Sequence, residues 1–437
     1  MRVAFHTLGC KVNQYETESM KEQFQGAGHE IVGEEDFADV YVVNTCTVTN
    51  LADRKSRQFI RRARKINPEA VVAVTGCYAQ IKPEEVAAIE GVEIVTGTDE
   101  KHRLLELVEE YFNEHHKTVL VKDYDELAEY EELGVIKGME SRTRAFIKIQ
   151  EGCNRFCSYC IIPYARGKVR SRSADEIAAE VQGLVEKGYK EIVLTGINTA
   201  LYGTDLGYGG IEPLIAKLDP LSGDFRIRLS SLEPTVIDAE YVKGLLKYER
   251  LCHHLHLSIQ SGSDNVIDAM NRHYSRQDYL DIVRVLRDFD PQYGVSTDII
   301  VGFPGETEED FQDSVKMVGE AEFCRTHVFK YSKRSGTKAA DMKNQVAGEV
   351  KNKRSAELIA AAEKASGKFF DACAGTTRKV LFEELEDGFV TGYTDNYVKT
   401  YVAGDEKMFN QFYEVRLLKK YKDGMFGEIS RGQERSR

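Results

Sequence analysis

The N-terminal quarter of the chain alternates short apolar runs with segments of helical periodicity. The apolar runs are VAFHTLG, VYVVNTC, VVAVTGC and VEIVTG; helices are predicted over 13–27 and 53–66, with a short one after Pro83. This alternation is typical of a parallel sheet with helices on both faces. We therefore predict an open parallel α/β domain over residues 1–115. An acidic segment follows at 116–138, and its composition predicts a solvated linker.

Six further apolar runs occur at regular spacing within residues 139–371, with helical segments between them. They are RAFIKIQEG, EIVLTGIN, FRIRLSSLE, HLHLSIQSG, VSTDIIVGFPG and THVFKYSK. Repeated βα units of this length predict a full or partial (β/α) barrel, whose ligands bind at the carboxyl ends of the strands.

The apolar pattern changes to a period of two over residues 372–437, as in VTGYTDNYVKTYVAG. Together with glycine and Asp-Gly turns, this pattern predicts a small antiparallel β-barrel that resembles the oligonucleotide-binding (OB) fold. Its basic and acidic residues nearly balance, so charge alone does not predict that it binds RNA.

Composition restricts the class of protein. The chain has 437 residues, a net charge of −12 and nine cysteines. We see neither a run of about twenty apolar residues nor a signal-peptide pattern, so we expect a cytoplasmic protein without membrane association. An odd number of cysteines in such a chain disfavours a disulfide framework and favours metal binding or reactive thiols.

Three cysteines lie at gaps of four and three in EGCNRFCSYC: Cys153, Cys157 and Cys160. A structural zinc site needs a fourth cysteine or histidine nearby, and none follows within about twenty residues. A CxxC redox pair would leave Cys153 unused. Three thiolates in a short loop suit a cubane iron–sulfur cluster with one iron open to a reactant. Zinc binding and redox chemistry are the alternatives.

This CxxxCxxC pattern, with Tyr159 before its last cysteine, resembles the radical S-adenosylmethionine (SAM) superfamily. The resemblance implies that the three cysteines ligate a [4Fe–4S] cluster whose fourth iron binds SAM. It also implies that an electron cleaves SAM to a radical that abstracts hydrogen from an unactivated carbon.

Several residues beside the last cysteine and at the predicted strand ends are candidates for contact with SAM. At each one, a simple role in a turn or strand cap is the alternative. The candidates are Tyr159, Gly196, Asn198, Ser231, Glu233 and Gln260, together with the GFPGE loop at 302–306.

Cys10, Cys46 and Cys77 each end a predicted strand of the N-terminal domain. The carboxyl ends of parallel strands meet at one edge of a sheet, so these three thiols are predicted to converge. Buried structural cysteines are the alternative. The matching position after three strands favours a second three-thiolate cluster.

The motifs GCKVNQYETE, NTCTVTN and GCYAQ, followed by EGCNRFCSYCIIPYARG, resemble the radical SAM methylthiotransferases over essentially the whole chain. The resemblance implies two [4Fe–4S] clusters, with the second cluster handling the sulfur. It also implies that one SAM methylates this sulfur, that another generates the radical, and that CH3S replaces a substrate hydrogen. It further implies a C-terminal TRAM domain that binds RNA, tRNA as the partner, and a reduced flavodoxin or ferredoxin as the electron donor. We expect a monomer.

This family divides by substrate into enzymes for isopentenyladenosine in tRNA, threonylcarbamoyladenosine in tRNA, and an aspartate of a ribosomal protein. The first two motifs most resemble the threonylcarbamoyl branch, and Lys11 stands where the protein-modifying branch tends to have proline. We therefore predict methylthiolation at C2 of N6-threonylcarbamoyladenosine, which requires the base to leave its stack. The other two substrates are alternatives, as is a non-catalytic RNA-binding protein that holds zinc.

Two basic segments are candidates for contact with RNA. Residues 53–65 carry seven basic side chains, predicted to face outward from buried Phe59, Ile60 and Ala63; a plain solvated face is the alternative. The second segment follows the cysteine triplet and is predicted to pair with tRNA phosphates or with the SAM carboxylate. It comprises Arg166, Lys168, Arg170 and Arg172.

The remaining cysteines and a histidine-rich strand are interpreted as core residues. Zinc would need a second ligand pair near this strand, and the sequence offers none. The residues concerned are Cys252, His253, His254, His256, Cys324 and Cys373.

Overall fold

The computed structural model describes residues 1–134, 136 and 143–430. The predicted boundary between linker and central domain, at residues 138 and 139, lies outside the described residues. Within the described part of the chain, no helix is long and apolar enough to cross a membrane.

The N-terminal region forms the predicted parallel sheet, with six strands in the order β2-β1-β3-β4-β5-β6. The strands are β1 (Arg2–Thr7), β2 (Glu30–Val32), β3 (Val40–Thr45), β4 (Val71–Gly76), β5 (Ile94–Thr96) and β6 (Thr118–Leu120). The helices are α1 (Lys11–Gly26), α2 (Asn50–Ile66), α3 (Cys77–Ile81), α4 (Pro83–Ala87) and α5 (Leu104–Glu114). Strands β3 and β4 are buried along their whole length, as expected for a sheet covered on both faces.

The acidic segment is exposed at many positions, as predicted for a solvated linker, but several of its residues are packed into the fold. β6 lies within it and extends the sheet by pairing with β5. Leu127 is buried, and the Tyr130 hydroxyl donates to the Lys148 carbonyl oxygen at 2.9 Å. Buried Glu131 lies 3.0 Å from His102 Nδ1. At these positions the segment is packed and not solvated, because the side chains have apolar and cationic partners that lie elsewhere in the fold.

The central region forms a partial (β/α) barrel from two sheets, which are parallel except for the antiparallel strand β8. β9 lies between β7 and β10 in one sheet, and β11 to β14 pair in sequence in the other. The sheets meet where Ile227 of β10 bridges Leu251. The strands are β7 (Arg144–Glu151), β8 (Arg170–Ser171), β9 (Glu191–Gly196), β10 (Arg226–Leu229), β11 (Ser231–Leu232), β12 (His254–Leu257), β13 (Gly294–Val301) and β14 (Arg325–Lys330).

Helices connect these strands, and their apolar faces pack with the strands into one large core. They are α6 (Ile162–Arg166), α7 (Ala174–Glu186), α8 (Glu212–Leu218), α9 (Ala239–Leu245), α10 (Asp264–Ala269), α11 (Arg276–Phe289), α12 (Glu308–Ala321), α13 (Lys338–Asp341) and α14 (Gly348–Cys373). Short 3-10 segments occur at Lys101–Arg103, Tyr124–Glu126, Thr199–Leu201 and Glu406–Met408.

The C-terminal region is a closed five-stranded barrel in the order β15-β16-β17-β19-β18. Its strands are β15 (Thr377–Glu386), β16 (Phe389–Thr394), β17 (Lys399–Val402), β18 (Phe412–Tyr421) and β19 (Gly424–Ile429). This architecture is consistent with a TRAM-like domain. The predicted fold class is therefore confirmed in all three regions.

A buried ion cluster joins the central barrel to the C-terminal barrel. Glu191, at the start of β9, accepts from Arg226 Nε at 2.6 Å and from Arg228 Nε at 2.8 Å. Arg228 also donates to the Thr394 carbonyl oxygen at 3.1 Å. Burial alone would raise the pKa of Glu191, but Arg228, Arg226 and Arg144 hold it well below its usual range.

We expect Glu191→Gln to destabilise the protein, because three arginines would then share the pocket without a carboxylate. Breaking a buried ion pair costs about 3–5 kcal/mol. The measurement is the free energy of unfolding in urea at pH 7, where Glu191 is ionised. Glu240→Gln is the control, since Glu240 is 79% exposed and pairs only with Lys243. A loss below about 1 kcal/mol for Glu191→Gln would contradict the stated role.

Candidate active site

The loop after β7 carries Cys153, Cys157 and Cys160, here called the loop trio. Backbone bonds fold the loop back on itself: Cys160 N–H donates to the Cys157 carbonyl oxygen at 2.9 Å, and Cys153 N–H to that of Gly167 at 3.0 Å. Gly152 precedes the trio with φ of 72°, and a Cβ there would lie 1.7 Å from the Lys168 carbonyl oxygen. Glycine is therefore required at the point where this loop leaves the strand.

The thiols of the loop trio fit a metal cluster in their number, their proximity and their chemistry. All three are free and half-buried. Burial raises the pKa of each one, to about 12 for Cys153. A thiolate in this setting needs a nearby positive charge, and metal ions supply one. Three sulfur ligands leave one position of a four-iron cluster for another ligand.

Arg272 is a neighbour of the loop trio that the sequence did not predict. It is buried, and its Nη1 donates to Cys157 Sγ at 3.6 Å and to the Tyr159 hydroxyl at 3.3 Å. Nη2 donates to the Ser258 carbonyl oxygen at 2.9 Å. No local pattern marks Arg272, because it lies more than one hundred residues from the cysteines along the chain.

Two of the predicted SAM contacts, Asn198 and Glu233, lie together at the carboxyl ends of the strands. Asn198 Nδ2 donates to Glu233 Oε2 at 2.7 Å, and Glu233 is 3.5 Å from Arg155 Nε. Asn198 Oδ1 is buried and has no hydrogen-bond partner among the described residues. Such an orphaned oxygen fits a ligand that brings a donor, for example the amino group of SAM.

Two adjoining cavities open beside these residues. The apolar cavity, of about 260 Å³, is lined by Tyr159, Cys160 and Gln260. The central cavity, of about 620 Å³, is lined by Cys10, Gly196 and Ser231, among others. Asp298 and Phe329 line both cavities, so the two cavities are neighbours. Four of the six predicted SAM contacts line these two cavities, namely Tyr159, Gly196, Ser231 and Gln260, as do Cys160 and Cys10.

Cys10, Cys46 and Cys77, here called the sheet trio, converge as their strand positions predicted. A Cβ on Gly9 would lie 3.1 Å from Cys46 Sγ, so the first two strand ends are in contact. Among the causes that raise the pKa of Cys46 to about 12, burial is the largest, followed by the Cys77 thiol. Cys10 is exposed, whereas the other two thiols are buried.

Arg166 connects the two trios. It lies on α6, directly after the loop trio, and is fully buried. Its Nη2 donates to Asn13 Oδ1 at 2.7 Å and its Nη1 to Glu16 Oε1 at 2.8 Å, both on α1. Burial raises the pKa of Cys77, and the neighbouring Arg166 guanidinium opposes that rise. A cation therefore stands beside the sheet trio, which favours thiolate and fits a cluster there.

The predicted pairing of Arg166, Arg170 and Arg172 with phosphate or with the SAM carboxylate was wrong. All three are buried and bound to protein groups. Arg170 lies 3.1 Å from Glu151 Oε1, and Arg172 pairs with Glu180. Of the four basic residues in that segment, only Lys168 is exposed.

Helix α2 turns Phe59, Ile60 and Ala63 inward, as predicted. Two of its cations form ion pairs within the protein, Arg57 with Glu85 and Arg62 with Glu35. Five cations are exposed, and Arg62 is one of them: Arg54, Lys55, Arg61, Arg62 and Lys65.

The histidine-rich strand differs in part from a simple core element. His254 is buried and stacks on Tyr397, with ring centroids 4.5 Å apart. Both His254 and His256 line the central cavity, where His256 Nε2 lies 3.1 Å from Asp298 Oδ2. The cysteines predicted as buried core residues are indeed buried: Cys252, Cys324 and Cys373.

Two family models match the chain. The radical SAM superfamily matches residues 147–318, and a family described as "Uncharacterized protein family UPF0004" matches residues 2–97. In structure, the chain resembles the radical S-adenosylmethionine methyltransferase TsrM from Kitasatospora setae, with a TM-score of 0.59. That likeness covers 89% of this chain and 77% of the other at 15% identity, so it concerns the fold alone. Fold and loop trio together define a radical SAM protein, which uses SAM and a [4Fe–4S] cluster.

The names of similar curated proteins show which family of radical SAM proteins the chain belongs to. One from Bacillus subtilis (strain 168), threonylcarbamoyladenosine tRNA methylthiotransferase MtaB, is 45% identical over 98% of this chain and 96% of its own length. The tRNA-2-methylthio-N(6)-dimethylallyladenosine synthase of Clostridium novyi (strain NT) is 34% identical over 98% and 96%. The chain belongs to the radical SAM methylthiotransferase family, which confirms the resemblance inferred from its motifs.

Proposed function

We propose that this enzyme methylthiolates C2 of N6-threonylcarbamoyladenosine next to the anticodon of tRNA, with SAM and two [4Fe–4S] clusters as cofactors. The observation that carries the proposal is that Cys160 of the loop trio and Cys10 of the sheet trio line two cavities that share Asp298 and Phe329. Relatives named for threonylcarbamoyladenosine reach 45% and 40% identity, whereas one named for dimethylallyladenosine reaches 34%.

Each part of the chain has a role in this proposal. Residues 1–115 hold the second cluster on the sheet trio, and 116–138 connect to the SAM-binding domain at 139–371. Residues 372–437 form the TRAM domain. A flavodoxin or ferredoxin is the proposed electron donor for a cytoplasmic monomer.

The bound cofactors would supply the radical and the sulfur, while protein groups hold and shield the reactants. We assign contact with SAM to the residues at the strand ends. Asn198 Oδ1 is placed to accept from the amino group, and Asn198 is itself fixed by Glu233 at 2.7 Å. Gly196 and Ser231 line the central cavity, and Tyr159 and Gln260 line the apolar one.

RNA would approach over the rim of the apolar cavity. Val48 and Phe329 line this cavity and are 53% and 49% exposed, and exposed Leu51 is near them at the start of α2. An aromatic ring and aliphatic groups at a cavity entrance suit a base that has left its stack. The exposed cations of α2 follow directly along the chain and could bind phosphates.

The substrate is tested with three synthetic anticodon stem-loops, which carry threonylcarbamoyladenosine, isopentenyladenosine or plain adenosine. Reconstituted enzyme receives SAM and reductant under anaerobic conditions, and the nucleosides are analysed by mass spectrometry. We expect a product heavier by one CH2S unit only from the threonylcarbamoyl RNA. Conversion of the isopentenyl RNA instead would refute the substrate assignment.

The second cluster is tested by iron content. We expect about eight irons per chain in the reconstituted protein and about four after Cys10→Ala, Cys46→Ala and Cys77→Ala are combined. This triple variant should still cleave SAM but form no methylthio product. The matched triple variant of the loop trio should lose SAM cleavage as well.

Cys324→Ala is the control for this measurement, because Cys324 is buried far from both trios in sequence and packs in the C-terminal core. It should keep about eight irons. Full iron content in the sheet-trio variant would rule out a second cluster at that position.

A further inference from the structure

The central cavity carries an excess of positive charge. Three cations line it, namely Lys11, Arg228 and Arg325, against one carboxylate, Asp298. Asp298 lies 3.1 Å from His256 Nε2 and accepts from Ser258 Oγ at 3.0 Å, while Glu191 binds Arg228. Among the described residues, Lys11 and Arg325 have no ion-pair partner. A cavity with this excess of positive charge favours an anionic ligand.

Lys11 is in an unusual place for a cation. It is the first residue of α1, where the helix dipole disfavours positive charge, and the first turn holds no acidic residue. Lys11 is an exposed residue that lines the cavity, with Nζ 5.3 Å above the Phe146 ring. The charged groups that act on it most are Arg144, Arg228 and Glu191 at the floor of the barrel.

The charges of the protein around Lys11 therefore do not explain why a lysine occupies this position. The two arginines repel it, and the carboxylate that attracts it is already shared among three arginines. A ligand carboxylate in the central cavity would supply the missing countercharge.

We propose that Lys11 binds the carboxylate of the threonylcarbamoyl substituent and thereby selects this substituent over an apolar one. The inference rests on the proposed function, which it deepens. A threonylcarbamoyl group ends in a carboxylate and a hydroxyl, whereas an isopentenyl group has neither. An isopentenyl group in this cavity would leave Lys11 desolvated and unpaired, and sites built for a polar group reject analogues that lack it.

The hydroxyl of the substituent also has partners on the cavity wall. Ser296 Oγ lies 2.9 Å from His254 Nε2 and 2.9 Å from His256 Nδ1. Ser296 and both histidines line the cavity together with Asp298. These groups offer hydrogen-bond donors and acceptors to the hydroxyl of the substituent. Lys11 sets the preference for the carboxylate, and this network binds the rest of the polar substituent.

The test is a double-mutant cycle between protein and RNA. Anaerobic fluorescence anisotropy measures the Kd of the reconstituted enzyme for stem-loops carrying threonylcarbamoyladenosine or its carboxamide analogue, in which the carboxylate is replaced. For wild type we expect the carboxamide to bind roughly 10- to 100-fold more weakly. For Lys11→Met, the two RNAs should bind equally well, because the charge that distinguishes them is gone.

A matched control is Lys55→Met on the exposed part of α2. If Lys55 contacts phosphate, its loss weakens binding of both RNAs by the same factor and leaves their ratio unchanged. Lys11→Gln serves as a second variant, and the iron content of each protein shows whether it has folded. A Lys11 variant that loses iron and still discriminates would mean that Lys11 serves the sheet trio, which overturns the inference.

Failure of the inference can be separated from failure of the proposed function. If wild type methylthiolates the threonylcarbamoyl RNA but Lys11→Met keeps the full carboxylate preference, the inference is wrong and the function stands. If wild type forms no product from this RNA, both are wrong.

Discussion

The buried contact of Arg166 with α1 fixes the two cysteine trios relative to each other. Arg166 ends the helix that follows the loop trio, and its guanidinium reaches Asn13, Glu16 and the surroundings of Cys77. Burial alone would raise the pKa of Glu16, but Arg166, Lys101 and Lys148 hold it well below its usual range. Glu16 and its cations Arg166, Lys101 and Lys148 are fully buried, and breaking a buried ion pair by removing one partner costs about 3–5 kcal/mol.

The arrangement of the central cavity depends on this contact between Arg166 and α1. With α1 held against the barrel, Cys10 and Lys11 line one cavity together with the strand ends Gly196 and Ser231. A second buried ion cluster, around Glu191, holds the C-terminal barrel against the floor of the central barrel. The cavity is therefore built by three regions, with its charges set by ion clusters that belong to the interfaces between them.

Sequence reasoning predicted what depends on local pattern and chain order. The parallel sheet, the partial barrel and the antiparallel barrel follow from periodicity, and the sheet trio follows from the rule that parallel strands end at one edge. It could not predict partners far apart in sequence. Arg272 approaches Cys157 across 115 residues, and Arg166 approaches Glu16 across 150.

The errors have the same origin. The position of the arginines just after the loop trio predicted pairing with tRNA phosphates or with the SAM carboxylate, but Glu151 and Glu180 neutralise Arg170 and Arg172 in the interior. The acidic segment was assigned to solvent for its composition, whereas its apolar residues Leu127 and Leu133 are buried. Composition describes a segment in isolation, and here the countercharges come from other parts of the chain.

The most direct test of this account is the iron content of Arg166→Met. Arg166→Lys is the comparison variant, because lysine keeps the positive charge but cannot make the bidentate contact. If Arg166 fixes the sheet trio, Arg166→Met should hold about four irons per chain instead of about eight, and form no methylthio product. Lysine should restore part of the iron. Full iron content and normal product from Arg166→Met would contradict the account.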